Sequence, residues 1–290
     1  GIDPTRTNVT INGIPVNDSE SHGVYWVNMP DFASSVNNIQ VQRGVGTSSN
    51  GASAFGASIN METNTLNKEA YGIVDHSFGS FNTSKYTVKA GTGLLNGKFT
   101  IDTRLSLIKS DGYVDRSASN LQSYYLSGSW LGEKSILRVT LFSGKEKTSQ
   151  AWYGTPESVI NGNQDEITAY ADRNYIKGSD RYNLLSSGRK YNYYTYDNEV
   201  DNYKQDHYQL HFNHSFNNNL KLSSAGHYTR GKGFFEQYKA DEDFSDYGFA
   251  PIVLTNDTIN KTDLIRRRWL DNHFYGGIFS LSYDKEALNI

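Results

Sequence analysis

Three histidines are the first residues in this sequence whose spacing could do chemistry. His207, His211 and His214 stand four and three residues apart, and on a helix that spacing would gather them on one face as a metal or haem cluster. On a strand, His207 and His211 share a face about 13 Å apart and His214 points the other way, too far for one metal ion to bridge. The flanking residues alternate, Tyr208, Leu210, Phe212 and Phe216 against Gln209, Asn213 and Ser215, which is the period of a strand. The histidines therefore read as polar side chains along a strand, and neither a metal site nor a cofactor is expected.

Other chemistry is equally thin. Asp165-Glu166 and Asp241-Glu242-Asp243 fall in predicted loops, where solvated charge outweighs a catalytic or calcium-binding role. No serine sits in a nucleophile elbow and the sequence has no cysteine, so covalent catalysis and thiolate metal sites have no obvious agent. Gly44, Gly46, Gly51 and Gly56 invite a phosphate-loop reading, but no Lys-Ser or Lys-Thr follows and no helix former opens behind them. The sequence nominates no catalytic residue and is not read as an enzyme.

The elements that would position any site are strands. Phe99, Ile101, Thr103, Leu105 and Leu107 alternate with Thr100, Asp102, Arg104 and Ser106, and Tyr124, Leu126, Gly128 and Trp130 alternate with Ser123, Tyr125, Ser127 and Ser129. These runs extend to about 10 to 13 residues, enough to cross a bilayer at a tilt and longer than the usual soluble strand. Repeated Arg, Asp, His and Gln on one face would be costly in a dry core and is normal for a barrel interior. Tight turns are predicted at Leu95-Asn96-Gly97, Gly132-Glu133-Lys134 and Asn217-Asn218-Asn219, with longer connections at Asp111 to Asn120, Ser149 to Asn202 and Lys232 to Trp269. Short turns on one side and long loops on the other are the arrangement of outer-membrane barrels.

Composition agrees. Across 290 residues there are 21 Tyr, 14 Phe and 4 Trp but only 5 Pro, which suits β-structure with polar loops. The net charge of −3 argues against generic nucleic-acid binding. No window reaches the roughly 18 consecutive apolar residues of a membrane helix, a test that strands crossing as a barrel would escape. Gly1-Ile2-Asp3-Pro4 has neither the basic start nor the apolar stretch of a signal peptide, and the sequence reads as an internal fragment of a longer protein.

In the small-residue segment, Arg43-Gly44, Asn50-Gly51, Gly56, Ile59-Asn60-Met61 and Thr63 stand at offsets that resemble the end of the plug domain of TonB-dependent outer-membrane receptors. The chain departs from the commoner pattern in having Asn50 where Tyr often precedes the glycine, and Ala57 where a second glycine often follows Gly56. The resemblance runs from about Val9. It implies a mainly β fold: a partial plug domain over 1–67, then the N-terminal strands of a large antiparallel transmembrane β-barrel over 68–290. About eight strands can be counted from the turns, against about 22 in a complete plugged transporter.

The resemblance also implies a function, active uptake of a scarce small-molecule ligand across the outer membrane. A ferric siderophore or similar iron or corrinoid complex fits, TonB would be the energy-coupling partner through a segment outside this sequence, and lipid with lipopolysaccharide would surround the barrel. A TonB-linked glycan importer, and a passive porin or surface adhesin, are the alternatives. By position the nominated ligand contacts are His22, Tyr25, Trp26, Asn50 and Phe55 in the plug and Trp152 and Tyr153 in the long loop. Tyr25 and Trp26 have a plainer reading too, in which they pack the plug against the barrel wall. The Ser149 to Asn202 loop carries nine Trp and Tyr residues with Arg173, Arg181 and Arg189, a surface suited either to ligand contact or to an interfacial girdle. Arg266-Arg267-Arg268 reads as a solvated or lipid-phosphate-facing run.

Overall fold

The structure, a computed structural model, describes residues 3–44, 55–63, 66–285 and 288–289. Its first part is a small sheet of β1 (Thr7–Ile11), β2 (Ile14–Pro15), β3 (Asn38–Arg43) and β4 (Ala57–Glu62), in the order β2-β1-β4-β3. Asn12 at φ 55° and Gly13 at φ 80° turn β1 back onto β2, pairing Ile11 with Ile14, as an Asn-Gly hairpin requires. β1 and β4 run parallel, Thr7 opposite Ala57 and Ile11 opposite Met61.

The second part is a large antiparallel sheet. It contains β5 (Tyr71–Phe78), β6 (Ser84–Gly91), β7 (Phe99–Ser110), β8 (Ser119–Leu131), β9 (Ser135–Ser149), β10 (Val200–Ser215) and β11 (Leu220–Asp243). After a small separate ribbon of β12 (Ile252–Val253) and β13 (Thr258–Ile259), it continues with β14 (Lys261–Lys285) and β15 (Leu288–Asn289). Long strands pair with their neighbours in sequence, and the sheet is not closed among the described residues. Eight strands carry it besides the two-residue β15, matching the number counted from the turns.

The two faces of this sheet meet different surroundings. Phe99, Ile101 and Leu105 are exposed, whereas their polar neighbours Thr100, Arg104 and Ser106 are buried. This inverts the arrangement of a water-soluble sheet. The polar face is buried because the small sheet lies on it: Tyr125 of β8 and Phe142 of β9 share one core with Val9, Ile11, Met29, Phe32 and Met61.

Polar contacts fix the seating. Asp31, held at φ 54°, accepts from Thr87 at 2.9 Å and Ser106 at 2.5 Å, and pairs with Lys85 at 2.5 Å and Arg104 at 3.3 Å. The Arg104 guanidinium also donates to the Asp31 carbonyl. Ser123 donates to the Pro30 carbonyl at 2.7 Å, and Tyr125 donates to Thr63 at 2.9 Å. On the far side of the small sheet, Asn12 donates to Gln209 at 3.2 Å.

Several sequence expectations need correction. The segment between β2 and β3 is not a plain loop: it forms two 3-10 turns, Trp26–Asn28 and Phe32–Ser35, with Asp31 in the left-handed conformation between them, from where it reaches the β6 and β7 side chains. Ser149 to Asn202 is no unstructured loop: it holds α1 (Glu157–Asn161), α2 (Gln164–Arg173) and α3 (Gly178–Ser186) around a core of Val159, Ile167, Ala171, Leu184 and Tyr191. Asp165 and Glu166 accordingly sit in the first turn of α2, where negative charge favours the helix dipole. Asp241, Glu242 and Asp243 lie within β11, and the Lys232 to Trp269 connection is mostly strand, with β11 and β14 pairing out to Asp243 and Lys261.

Candidate functional site

A cavity of about 670 Å³ opens where the small sheet's β2–β3 segment faces β9, β10, β11 and β14. Strand parity builds its wall. Glu146 on β9, Asp201, Tyr203, Gln205 and His207 on β10, Phe235 on β11 and Leu270, Asn272 and Phe274 on β14 all turn to the inner face. Its floor is the chain from Val16 to Met29. That chain is held by Asn17, which accepts from the Val9 amide at 2.8 Å and donates to the Thr7 carbonyl at 2.8 Å. Asp18 caps the turn by accepting from the Ser21 amide at 2.7 Å.

Close packing shapes the far wall. The Tyr203 ring lies across Gly231, where a Cβ would fall 1.9 Å from the tyrosine hydroxyl, and that hydroxyl accepts from Asn272 at 3.4 Å. Trp152 closes one side of the cavity, edge-on to Phe235 at 6.3 Å and to Tyr194 at 6.4 Å. Deeper in, His207 stacks on Phe142 at 4.2 Å and shares a hydrogen bond of 3.1 Å with Thr229.

A second, smaller cavity of about 520 Å³ lies on the helical segment, lined by Tyr153, Pro156, Tyr170, Tyr175, Tyr191 and Tyr193 among others. Burial pushes the Tyr191 and Tyr194 hydroxyls up to about 12, so both remain neutral donors at ordinary pH. The segment is tied down from two directions. Asn192 donates to the Asp115 carbonyl at 2.8 Å and the Gln150 carbonyl at 3.1 Å, and Glu236 accepts from Tyr196 at 2.8 Å and Asn198 at 2.5 Å.

The nominated residues separate on this geometry. Tyr25 and Trp152 line the larger cavity and Tyr153 lines the smaller one. His22 is exposed on the Asp18–Gly23 turn, its carbonyl accepting from Asn17 at 2.8 Å, and it lines neither cavity. Trp26 and Phe55 are exposed and likewise line neither. Phe55 nonetheless stands at the cavity end of the small sheet, since the Gly56 amide donates to the Arg6 carbonyl at 2.9 Å beside Thr7. Asn50 lies outside the described residues. Tyr25 at 56% exposure and Trp26 at 49% are open beside the described wall, whereas Met29 and Phe32 enter the core against it.

Sequence reasoning passed over Glu146, Asp201, Tyr203, Phe235 and Phe274. Their parity on the strands was available as a signal, but which strand height meets the small sheet was not. His207 and His211 stand on the inner face with His214 on the outer, and no group of three or more metal-ligating side chains occurs among the described residues. Arg267 pairs with Glu236 at 2.6 Å, Arg266 donates to Gln237 at 2.9 Å, and Arg268 lies 6.0 Å from the centre of the Phe235 ring. The arginine run is therefore mostly engaged with β11.

No protein-family model matches the chain, and no curated protein matches it. Solved structures do. The ferric-catecholate import receptor Fiu from E. coli K12 matches in its closed form at 18% identity and TM-score 0.65, over 98% of this chain and 37% of that one. Its open form matches at 17% identity and TM-score 0.64, over 98% of this chain and 40% of that one. The siderophore receptor PiuA from Acinetobacter baumannii matches at 12% identity and TM-score 0.61, over 99% and 36%. The copper transporter OprC matches at 14% identity and TM-score 0.63, over 98% and 36%. The fold is that of a plug and part of a barrel wall in receptors of this kind. This chain spans between a third and two fifths of their length.

Proposed function

We propose that this chain is the plug, over 1–67, and the leading part of the barrel wall, over 68–290, of a TonB-dependent outer-membrane receptor that imports a scarce small-molecule ligand. The observation that carries this reading is the aromatic cavity formed jointly by the small sheet's loop and the inner face of the large sheet. A passive pore needs no such docked domain, and an adhesin needs no cavity on the inner face.

The exposed apolar side chains of the large sheet turn to lipid, and the long connections, with the helical segment, stand at the outward mouth among lipopolysaccharide. Receptors of the same fold import ferric catecholates and take siderophores, and another transports copper, which favours a chelated metal as cargo. Tyr25 and Trp152 contact the ligand from plug and loop, and TonB supplies the energy that rearranges the plug.

Growth on single iron, corrinoid and glycan sources tests this, comparing cells that carry the full-length gene or its deletion, with and without functional TonB. A defect on one iron or corrinoid chelate, reproduced by loss of TonB, is expected. The Trp152→Ala/Tyr153→Ala variant should insert normally and lose ligand affinity. Growth on every source regardless of the gene or of TonB would overturn active import.

A further inference from the structure

The larger cavity has a one-sided charge. Asp18, Glu20, Glu146 and Asp201 line it, and no Lys or Arg does among the described residues. The nearest inward cation on β14, Arg268, lies beside Phe235 and outside the lining. Lys145, next to Glu146 in sequence, and Lys204, its register partner on β10, turn to the opposite face of the sheet.

Two lining groups each carry a buried atom without a hydrogen-bond partner among the described residues. Glu146 is 2% exposed, and its Oε2 has no hydrogen-bond donor among the described residues. Asp201 stands diagonal to it on β10, and two neighbouring carboxyls in a buried wall ionise together only with a cation beside them. His207 is 4% exposed, and its Nε2 is also unpartnered while Nδ1 is engaged with Thr229. Buried polar groups are ordinarily paired, and a buried carboxylate with no donor is the costlier exception. Tyr25, Trp152, Tyr203 and Phe235 stand around these groups, and aromatic faces attract cations as carboxylates do.

We propose that this cavity receives a cationic group of the cargo, a protonated amine or guanidinium, with Glu146 and Asp201 as its counter-charges and Tyr25, Trp152 and Tyr203 as its aromatic walls. An ammonium supplies the donors that Glu146 lacks, through charge-assisted hydrogen bonds. An anionic chelate meets four carboxylates with no compensating Lys or Arg in the lining among the described residues. The inference rests on the receptor reading and narrows it to cargo that is cationic where it enters this cavity.

Isothermal titration calorimetry of the full-length protein in detergent tests it with two probes of similar shape and opposite charge, phenethylammonium and 3-phenylpropionate. Phenethylammonium should saturate and bind at least about ten-fold tighter. That preference should fall below about two-fold in Glu146→Gln/Asp201→Asn, and partly in Asp201→Asn alone, where the half-buried position tolerates the change. Equal or tighter binding of phenylpropionate, saturation by neither probe, or a preference that survives both substitutions would overturn the proposal. TonB-dependent growth that persists alongside any of those results would leave the import reading standing, whereas amine preference without TonB-dependent growth would remove import and keep the cation site.

Discussion

Gly144 of β9 lies directly beneath Asn28: a Cβ on the glycine would fall 2.0 Å from the Asn28 carbonyl oxygen and 2.5 Å from Pro30 Cδ. Both neighbours are stiff, one backbone and one a ring, so neither can swing aside. The small sheet can approach the wall this closely only because position 144 has no side chain. Gly144→Ala should lift the Asn28–Pro30 segment and destabilise the docked state by about 1–3 kcal/mol, the usual range for overpacking. Thermal unfolding with limited proteolysis of the small sheet would show it, and an unchanged melting point with unchanged protection would contradict the close-approach argument.

The Asp31 cluster predicts a pH dependence of definite sign. Burial pushes the Asp31 carboxyl up, but hydrogen bonds from Lys85, Ser106, Ser34 and Thr87 outweigh it and hold the group at about 2 against an ordinary 3.8. A carboxyl depressed on folding stabilises the fold above its unfolded value and ceases to as the pH falls from about 4 to about 2, here by on the order of 2 kcal/mol. Asp31→Asn should lower the melting point at neutral pH and flatten its decline between those limits. A wild-type decline retained in the variant would assign the acid sensitivity to other carboxylates.

Leu184 of α3 has no exposed surface and packs with Val159, Ile167, Ala171 and Tyr191. Leu184→Ala should cost the helical segment about 2–5 kcal/mol, comparable to what so small a core can supply. Because that core shares no residue with the one under the small sheet, the loss should stay local. Hydrogen exchange should rise across 157–186 and remain slow in β9 and β10; simultaneous loss of protection in those strands would mean that the segment and the wall fold as one unit.

Glu236 tethers the same segment to the wall. Its carboxylate, 2% exposed, takes Arg267 at 2.6 Å as well as Tyr196 and Asn198. Glu236→Ala leaves these donors without their shared acceptor and should loosen 195–199, with a stability loss of about 1.5–3 kcal/mol typical of hydrogen bonds to a charged group. Faster proteolytic cleavage there, with the β10–β11 pairing intact, is the expected result. Wild-type cleavage rates would show that the other contacts, those of Asn192 and Arg116 among them, anchor the segment without Glu236.

Much of the architecture is local and was therefore legible. The period of two along Phe99–Leu107 and Tyr124–Trp130, the Asn12-Gly13 hairpin and the tight turns at 96–97, 132–134 and 217–219 are decided by neighbours in the chain. They fixed the strand number and showed which face would be apolar. Ile167 and Ala171, four apart behind Asn163, also carried a helix signal, which the aromatic richness of the segment masked.

What the sequence could not decide is height and contact. Tyr25 and Phe32 are seven residues apart in the segment between β2 and β3, yet one lines the cavity and the other enters the core, because the left-handed turn at Asp31 sets how the small sheet seats on β6 to β9. Glu146 and Asp201 are separated by 55 positions and meet only through the β9–β10 register. Local propensity gives each strand its faces; the long-range docking of one sheet on another decides which inward side chains line a cavity and which are buried in the core.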